Sequence, residues 1–250
     1  MKTKIGKLGF VLVTTLLALA WAAPSAQATM ITYQIFTDSG KSSYLANGQG
    51  IPQSYGDYVT NFTPTEAFGS YYYSYGTNGG FTPNIAVEYQ YLRMTPLARG
   101  DAGKMWHPGY GDLDHPMWYA DGASSFYMEI RFLPTNNTAV VIQSFDFAGY
   151  GAQSGQTLKI MENVGLATSN TLWSAGPDGT VAVTGTGHDH YTPMITGTTG
   201  AVVSLLFGFS PNVAIDNIAF SEPTAIPEPG VAFLAGLGIL ALVARRRAAR

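Results

Sequence analysis

The stretch KMWHPGYGDLDHPMWYADG, residues 104–122, brings together Trp106, His107, Tyr110, Asp112, Asp114, His115, Trp118, Tyr119 and Asp121. Its prolines and glycines make it a loop or a set of turns, and loops on a rigid scaffold commonly carry binding. Aromatic rings beside carboxylates suit a sugar, or an oxygen-ligated calcium ion. The D-x-D spacing of Asp112 and Asp114 matches part of a calcium loop, but the rest of an EF-hand pattern is missing. A second reading has the loop folded onto a sheet, with Trp106 and Trp118 as its anchors. SYYYSYGTNGG, residues 70–80, offers another aromatic surface. If extended, it places Tyr71, Tyr73 and Tyr75 on one face, where flat rings with polar tips could stack on sugars. The same rings could instead pack on neighbouring strands. The ligand-contact candidates are therefore Tyr71, Tyr73, Tyr75, Trp106, Trp118 and Tyr119.

Metal chemistry has fewer candidates. GHDHY, residues 187–191, could present His188 and His190 on one side of a glycine-rich turn as two imidazole ligands, with no third ligand nearby. Asp146 in SFDFAG and Asp216 in AIDNIAF interrupt apolar strands, and Asp216 is expected to share a face with Ile218 and Phe220. A buried carboxylate must be paired, hydrogen-bonded or metal-bound. One or both of Asp146 and Asp216 are thus expected either to cap neighbouring backbone or to ligate a structural calcium. No cysteine is present, which removes thiol catalysis, Cys-ligated zinc and iron–sulfur clusters. There is no G-x-S-x-G elbow, H-E-x-x-H helix or phosphate-binding glycine loop. Glycosidase carboxylates can lie far apart in sequence, but nothing marks such a pair here. The expectation is a non-enzymatic protein.

The elements that position these residues read as strands. In FYMEIRF (126–132), Phe126, Met128, Ile130 and Phe132 alternate with Tyr127, Glu129 and Arg131. NIAVEYQYL (84–92) sets Ile85, Val87, Tyr89 and Tyr91 against Glu88 and Gln90. AVVIQSFDFAGYG, TLKIME, TLWSAG, GTVAVTG, AVVSLLFGF and VAIDNIAF follow, separated by turn residues; GPDGT (176–180) is the clearest turn. Many short strands predict an all-β fold, an antiparallel, jelly-roll-like β-sandwich over 29–222, flanked by an N-terminal signal helix and a C-terminal hydrophobic helix.

Charge separates this body from the ends. Between residues 29 and 226 there are 6 basic and 15 acidic residues, while Lys2, Lys4 and Lys7 begin the chain and Arg245, Arg246, Arg247 and Arg250 end it. The acidic body argues against nucleic-acid binding, which needs phosphate-neutralising cations. A basic start, an apolar run and the small-residue site Ala26-Gln27-Ala28 predict a secretory signal peptide over 1–28, cleaved after Ala28. Residues 223–229 are expected to form a linker, and 230–250 a hydrophobic helix with a basic tail. Gly230 to Ala244 would span roughly 22 Å as helix, short of a hydrocarbon core of roughly 30 Å. The arginines would stay on the cytoplasmic side.

Pro227-Glu228-Pro229, followed by Gly230 and the glycine-containing apolar run and then Arg245-Arg246-Arg247, resembles the PEP-CTERM protein-sorting domain. The resemblance covers about the last 25 residues. It implies export in a Gram-negative bacterium that makes extracellular polysaccharide. It also implies recognition near Pro-Glu-Pro by an exosortase of the inner membrane, then residence at the cell surface or in the extracellular matrix. The prolines would hold that segment extended, as a protease requires. A plain, uncleaved membrane anchor is the alternative. SFDFAGYG (144–151), LWSAG (172–176) and AIDNIAF (214–220) further resemble bodies of such proteins, which look like lectin or carbohydrate-binding jelly rolls. That resemblance implies polysaccharide as a partner. The two rivals are a polysaccharide-acting enzyme with the same tag and a ligand-free matrix protein.

Overall fold

The computed structural model describes residues 27–60, 65–77, 79–101, 103–118, 126–176, 178–208 and 212–223. The stretch Ala26–Pro223 is one compact unit. The signal-peptide residue Ala26, both terminal helices expected from the sequence, and the tail residues Pro227, Glu228, Pro229, Gly230, Arg245, Arg246 and Arg247 lie outside the described residues.

Four short strands open the fold: β1 (Thr29–Ile31), β2 (Ile35–Phe36), β3 (Thr65–Phe68) and β4 (Tyr71–Ser74). The hairpin β5 (Ile85–Met94) and β6 (Leu97–Asp101) comes next, then β7 (Lys104–Met105) and β8 (Met117–Trp118). Three long strands follow, β9 (Tyr127–Pro134), β10 (Val141–Gly149) and β11 (Gln153–Glu162). Short ones come after them: β12 (Asn170–Ser174), β13 (Thr180–Val183), β14 (His188–Tyr191) and β15 (Ile195–Thr196). The last two are β16 (Val203–Gly208) and β17 (Val213–Ser221).

Among the described residues these make two seven-stranded sheets and a small third one. The first runs β14-β10-β17-β8-β7, with β1 also on β17 and β15 also on β10. The second runs β12-β11-β16-β9-β5-β6, with β13 also on β11, and the third is β2-β4-β3. Neighbours pair antiparallel, as in β10 with β17 and β9 with β5. The two large sheets face each other across one apolar core. Phe132 of β9 meets Phe220 of β17 at 4.9 Å between ring centroids, and Phe147 of β10 meets Phe207 of β16 at 6.1 Å. These four rings are fully buried. Each contributes about 1.5–3 kcal/mol by leaving water. This is an antiparallel β-sandwich, as the alternation of apolar residues implies.

The tyrosine run turns inward. Tyr73 and Tyr75 are buried and join Tyr33, Tyr55 and Tyr89 in a cluster of rings. The hydroxyls of Tyr55, Tyr73 and Tyr89 find partners inside. Tyr55 Oη donates to Ser74 O at 2.7 Å, Tyr89 Oη donates to Tyr55 O at 2.7 Å, and Tyr73 Oη meets Ser54 Oγ at 2.8 Å. Tyr71 packs partly buried against the same core. The expectation that Tyr71, Tyr73 and Tyr75 form a sugar-stacking stripe is therefore corrected for Tyr73 and Tyr75. Their faces are taken up by other rings, because the small third sheet lays them on the sandwich core.

A second correction concerns Asp216. Val213 and Ile215 face the inter-sheet core, and so do Ile218 and Phe220, whereas Ala214 packs on the outer face. Strict alternation would place 216 with 218. The ladder with β10 shifts register here: Ser144 pairs with Ala219 but Asp146 pairs with Asp216. Asn217 takes a left-handed conformation, φ 50°. The extra residue is a β-bulge, which reverses the facing of the strand. Asp216 is thereby turned away from Ile218 and Phe220.

On the far face of the second sheet Glu129 is also fully buried. Arg99 donates to both of its oxygens, at 2.6 and 3.2 Å, and Ser204 Oγ donates at 2.7 Å. A buried carboxylate so fully bonded is compatible with a strand that the alternation alone would leave half wet.

Candidate functional site

Residues 104–118 form an excursion between β7 and β8 that lies on the outer face of the first sheet. Tyr110 and Leu113 are buried against Ala148 and Ala214, and Trp106 and Trp118 pack on the same cluster, their rings 5.1 Å apart and edge to face. Small residues on β10 and β17 let the loop come close. Gly111 shows how close: a Cβ there would stand 2.3 Å from Gly187 O, and its φ is +57°. Trp106 and Trp118 therefore anchor the loop, the second of the two readings open from the sequence. Tyr119 and Asp121 lie outside the described residues.

The loop brings His107, Asp114 and His115 to a pocket of about 370 Å³. Tyr44, Leu45, Ala46, Asn47 and Met105 complete its lining. Three rings, Tyr44, His115 and His107, stack along it, and Phe36 meets Tyr44 at a tilt from outside the lining. Phe36 and Tyr44 are 4.7 Å apart, Tyr44 and His115 are 3.9 Å apart, and His115 and His107 are 4.5 Å apart with planes within 10°. His115 sits inside the stack and is only 4% exposed, while Tyr44 is 41% exposed. Asn47 grips the main chain of His107 on both sides: its Oδ1 accepts from His107 N at 2.8 Å, and its Nδ2 donates to His107 O. Both imidazoles turn their Nδ1 atoms to Asp114. His107 Nδ1 bonds the Asp114 carbonyl and stands 3.5 Å from Oδ1; His115 Nδ1 stands 2.9 Å from Oδ2.

Electrostatics distinguish these groups. Burial holds the His115 imidazole below its usual pKa, assisted by nearby His107 and opposed by Asp114. Its ring is mainly neutral at pH 7. Beneath the loop, Asp216 is almost wholly buried and accepts hydrogen bonds from the main-chain N–H of Asn217, at 2.7 Å, and of His115. Burial pushes its pKa well above the ordinary carboxylate value, and Asp146 and Asp114 push in the same direction.

A second constellation flanks the first. His188 and His190 lie on β14, a true strand rather than the turn expected, with Ala148↔His188 and Asp146↔His190 as register partners. Both rings reach Asp146 Oδ1, His190 Nδ1 at 2.5 Å and His188 Nε2 at 3.8 Å. Asn217 Nδ2 donates to Asp146 Oδ2 at 2.8 Å. His188 Nδ1 pairs with Asp112 Oδ1 at 2.6 Å, which raises the histidine pKa and lowers that of the carboxylate. The third partner that the GHDHY string lacks is thus Asp146, 44 residues from His190.

Asp146 and Asp216 are register partners on β10 and β17. Asp216 accepts from the main-chain N–H of Asn217, as backbone capping would have it, whereas the oxygens of Asp146 meet the side chains of His190 and Asn217. The group of three side chains that could share a metal ion, among the described residues, is His107, Asp114 and His115, not Asp146 and Asp216. Sequence inspection places all three in one loop but gives no sign that their ligand atoms converge. The signal available was the H-x₆-D-H spacing within a proline- and glycine-rich segment.

No family model matches this chain, and no curated protein matches it. One solved structure, titled "CBM4 structure and function", is similar over 54% of this chain and 86% of its own, at 16% identity and a TM-score of 0.33.

Proposed function

We propose that this chain is an exported, non-enzymatic β-sandwich protein that binds polysaccharide at the cell surface or in the extracellular matrix, delivered by its C-terminal sorting segment. The observation that carries the binding half is the pocket beside the 104–118 loop. It combines the edges of a ring stack with an amide, Asn47, and a carboxylate that is 61% exposed, Asp114. Apolar ring surface next to a few convergent polar groups is the chemistry that a sugar's C–H faces and hydroxyls require. The delivery half rests on the sequence: the leader over 1–28 and the Pro227-Glu228-Pro229 tail, which supports processing by an exosortase at the inner membrane. In this reading Asp216 caps backbone at the bulge and Asp146 holds the His190 and Asn217 side chains, and a structural calcium at either is the alternative.

Binding is tested by presenting the full chain to a panel of purified bacterial polysaccharides in affinity electrophoresis. Retardation by at least one of them is expected. Tyr44→Ala and Asn47→Ala should each weaken it by about tenfold. Retardation unchanged in both variants would place the sugar elsewhere, and no retardation by any polysaccharide would leave the protein a ligand-free matrix component. Delivery is tested by C-terminal peptide mass spectrometry on cell fractions. A new end near Pro227-Glu228-Pro229 is expected, and an intact Arg250 confined to the membrane would mean simple anchoring.

A further inference from the structure

We propose that His107, Asp114 and His115 form a binding site for one transition-metal dication of the borderline class, with Zn²⁺ as the probe. Their ligand atoms all lie within 4.8 Å of one another. The decisive atom is His115 Nδ1. It is buried and makes no aligned hydrogen bond to any described residue, although Asp114 Oδ2 stands 2.9 Å away. A buried ring nitrogen left so is costly, and a cation between it and the carboxylate would satisfy both. Two imidazole nitrogens and one carboxylate oxygen suit Zn²⁺, Cu²⁺ or Ni²⁺; Ca²⁺ and Mg²⁺ prefer all-oxygen sets.

The surroundings hold one ligand firmly and leave another adjustable. His115 is clamped between Tyr44 and His107, and its main-chain N–H is held by Asp216. His107 is fixed through its main chain by Asn47, while its side chain is 45% exposed. Ligands at about 2.0–2.2 Å from one ion stand roughly 3–3.5 Å from each other. Rotation of the exposed His107 ring out of its parallel stack supplies the closure needed. Three protein ligands would leave the remaining coordination positions facing the pocket. Metal binding here does not depend on polysaccharide binding and is measured without any glycan.

The sequence has four histidines, two in this cluster and two on β14, which makes the control clean. The full chain is prepared without a histidine tag and titrated with ZnCl₂ by calorimetry, with zinc content measured after gel filtration. One Zn²⁺ per chain is expected. His107→Gln and His115→Gln should each weaken binding by at least about tenfold. His107→Gln lies at the open rim and should melt like the parent chain, so its loss of zinc cannot be attributed to unfolding. The double variant His188→Gln with His190→Gln should bind as the parent does. The proposal is overturned if the parent chain retains no zinc, if folded His107→Gln binds zinc equally well, or if the His188/His190 double variant is the one that loses it.

Discussion

The buried carboxyl of Asp216 accepts a hydrogen bond from the main-chain N–H of His115. This bond joins the last strand of the sandwich to the loop that lines the pocket. It exists because the bulge at Asn217 turns Asp216 to the outer face. A side chain that looked like a blemish in an apolar strand is thus the fastening point of the site.

Removing that fastening should be visible in stability. Asp216→Ala leaves the His115 and Asn217 N–H groups without their acceptor, an expected loss of about 1–3 kcal/mol. Asp216→Asn retains an acceptor without a charge to bury and should stay within about 1 kcal/mol of the parent at neutral pH. Urea unfolding of the two variants checks this. Equal losses would mean that the carboxyl does not act through those bonds.

Gly111 should tolerate no side chain. Gly111→Ala forces a non-glycine residue into the left-handed region and drives its Cβ toward Gly187 O. An expected cost of about 1–3 kcal/mol should be concentrated in the loop. Limited proteolysis is the measurement: cleavage within 104–118 should accelerate while the strands stay protected. A parent-like digestion pattern would show that the loop is not held there.

The Asp112–His188 pair ties the loop to β14, and its contribution should depend on pH. The folded-state pKa of His188 is raised above its ordinary value, chiefly by the bond to Asp112, so this histidine stabilises fully below about pH 6.5 and loses that effect as pH rises through its folded value. Asp112 is shifted down, so its share persists until the pH falls through its lowered folded value. Both groups are substantially exposed, which limits the pair to about 0.5 kcal/mol. His188→Gln should therefore be destabilised at about pH 5.5 and match the parent at about pH 9. Unfolding curves at the two pH values decide it, and an identical difference at both would rule out titration of His188 as the cause.

The Arg99–Glu129 pair offers a test of the opposite face. Arg99→Met strands a fully buried carboxylate and should cost about 3 kcal/mol. Replacing both partners, Arg99→Met with Glu129→Leu, should recover most of it, since the burden is the unpaired charge. Thermal melts of the single and double variants suffice. A double variant less stable than the single would show that the pair itself, beyond mutual compensation, holds the hairpin β5–β6.

What the sequence by itself determined was the all-β class and the long strands. Period-two alternation in 84–92 and 126–132, and glycine-led turns such as GPDGT, are local properties, written in consecutive residues. The same holds for the loop character of 104–118 and for the tryptophans as its anchors in one of the two readings. The tertiary structure decided everything that depends on residues distant in the chain. Tyr73 and Tyr75 have the period of an exposed stripe, and only the packing of the third sheet against Tyr55 and Tyr89 makes them core. Asp216 faces outward because a single left-handed residue resets the alternation, a backbone event that composition does not announce. His190 finds Asp146 through a strand ladder, and His115 finds Tyr44 across 71 residues of chain. Sequence periodicity records which face of an element is apolar; which elements meet, and hence which side chains converge, is set by long-range packing.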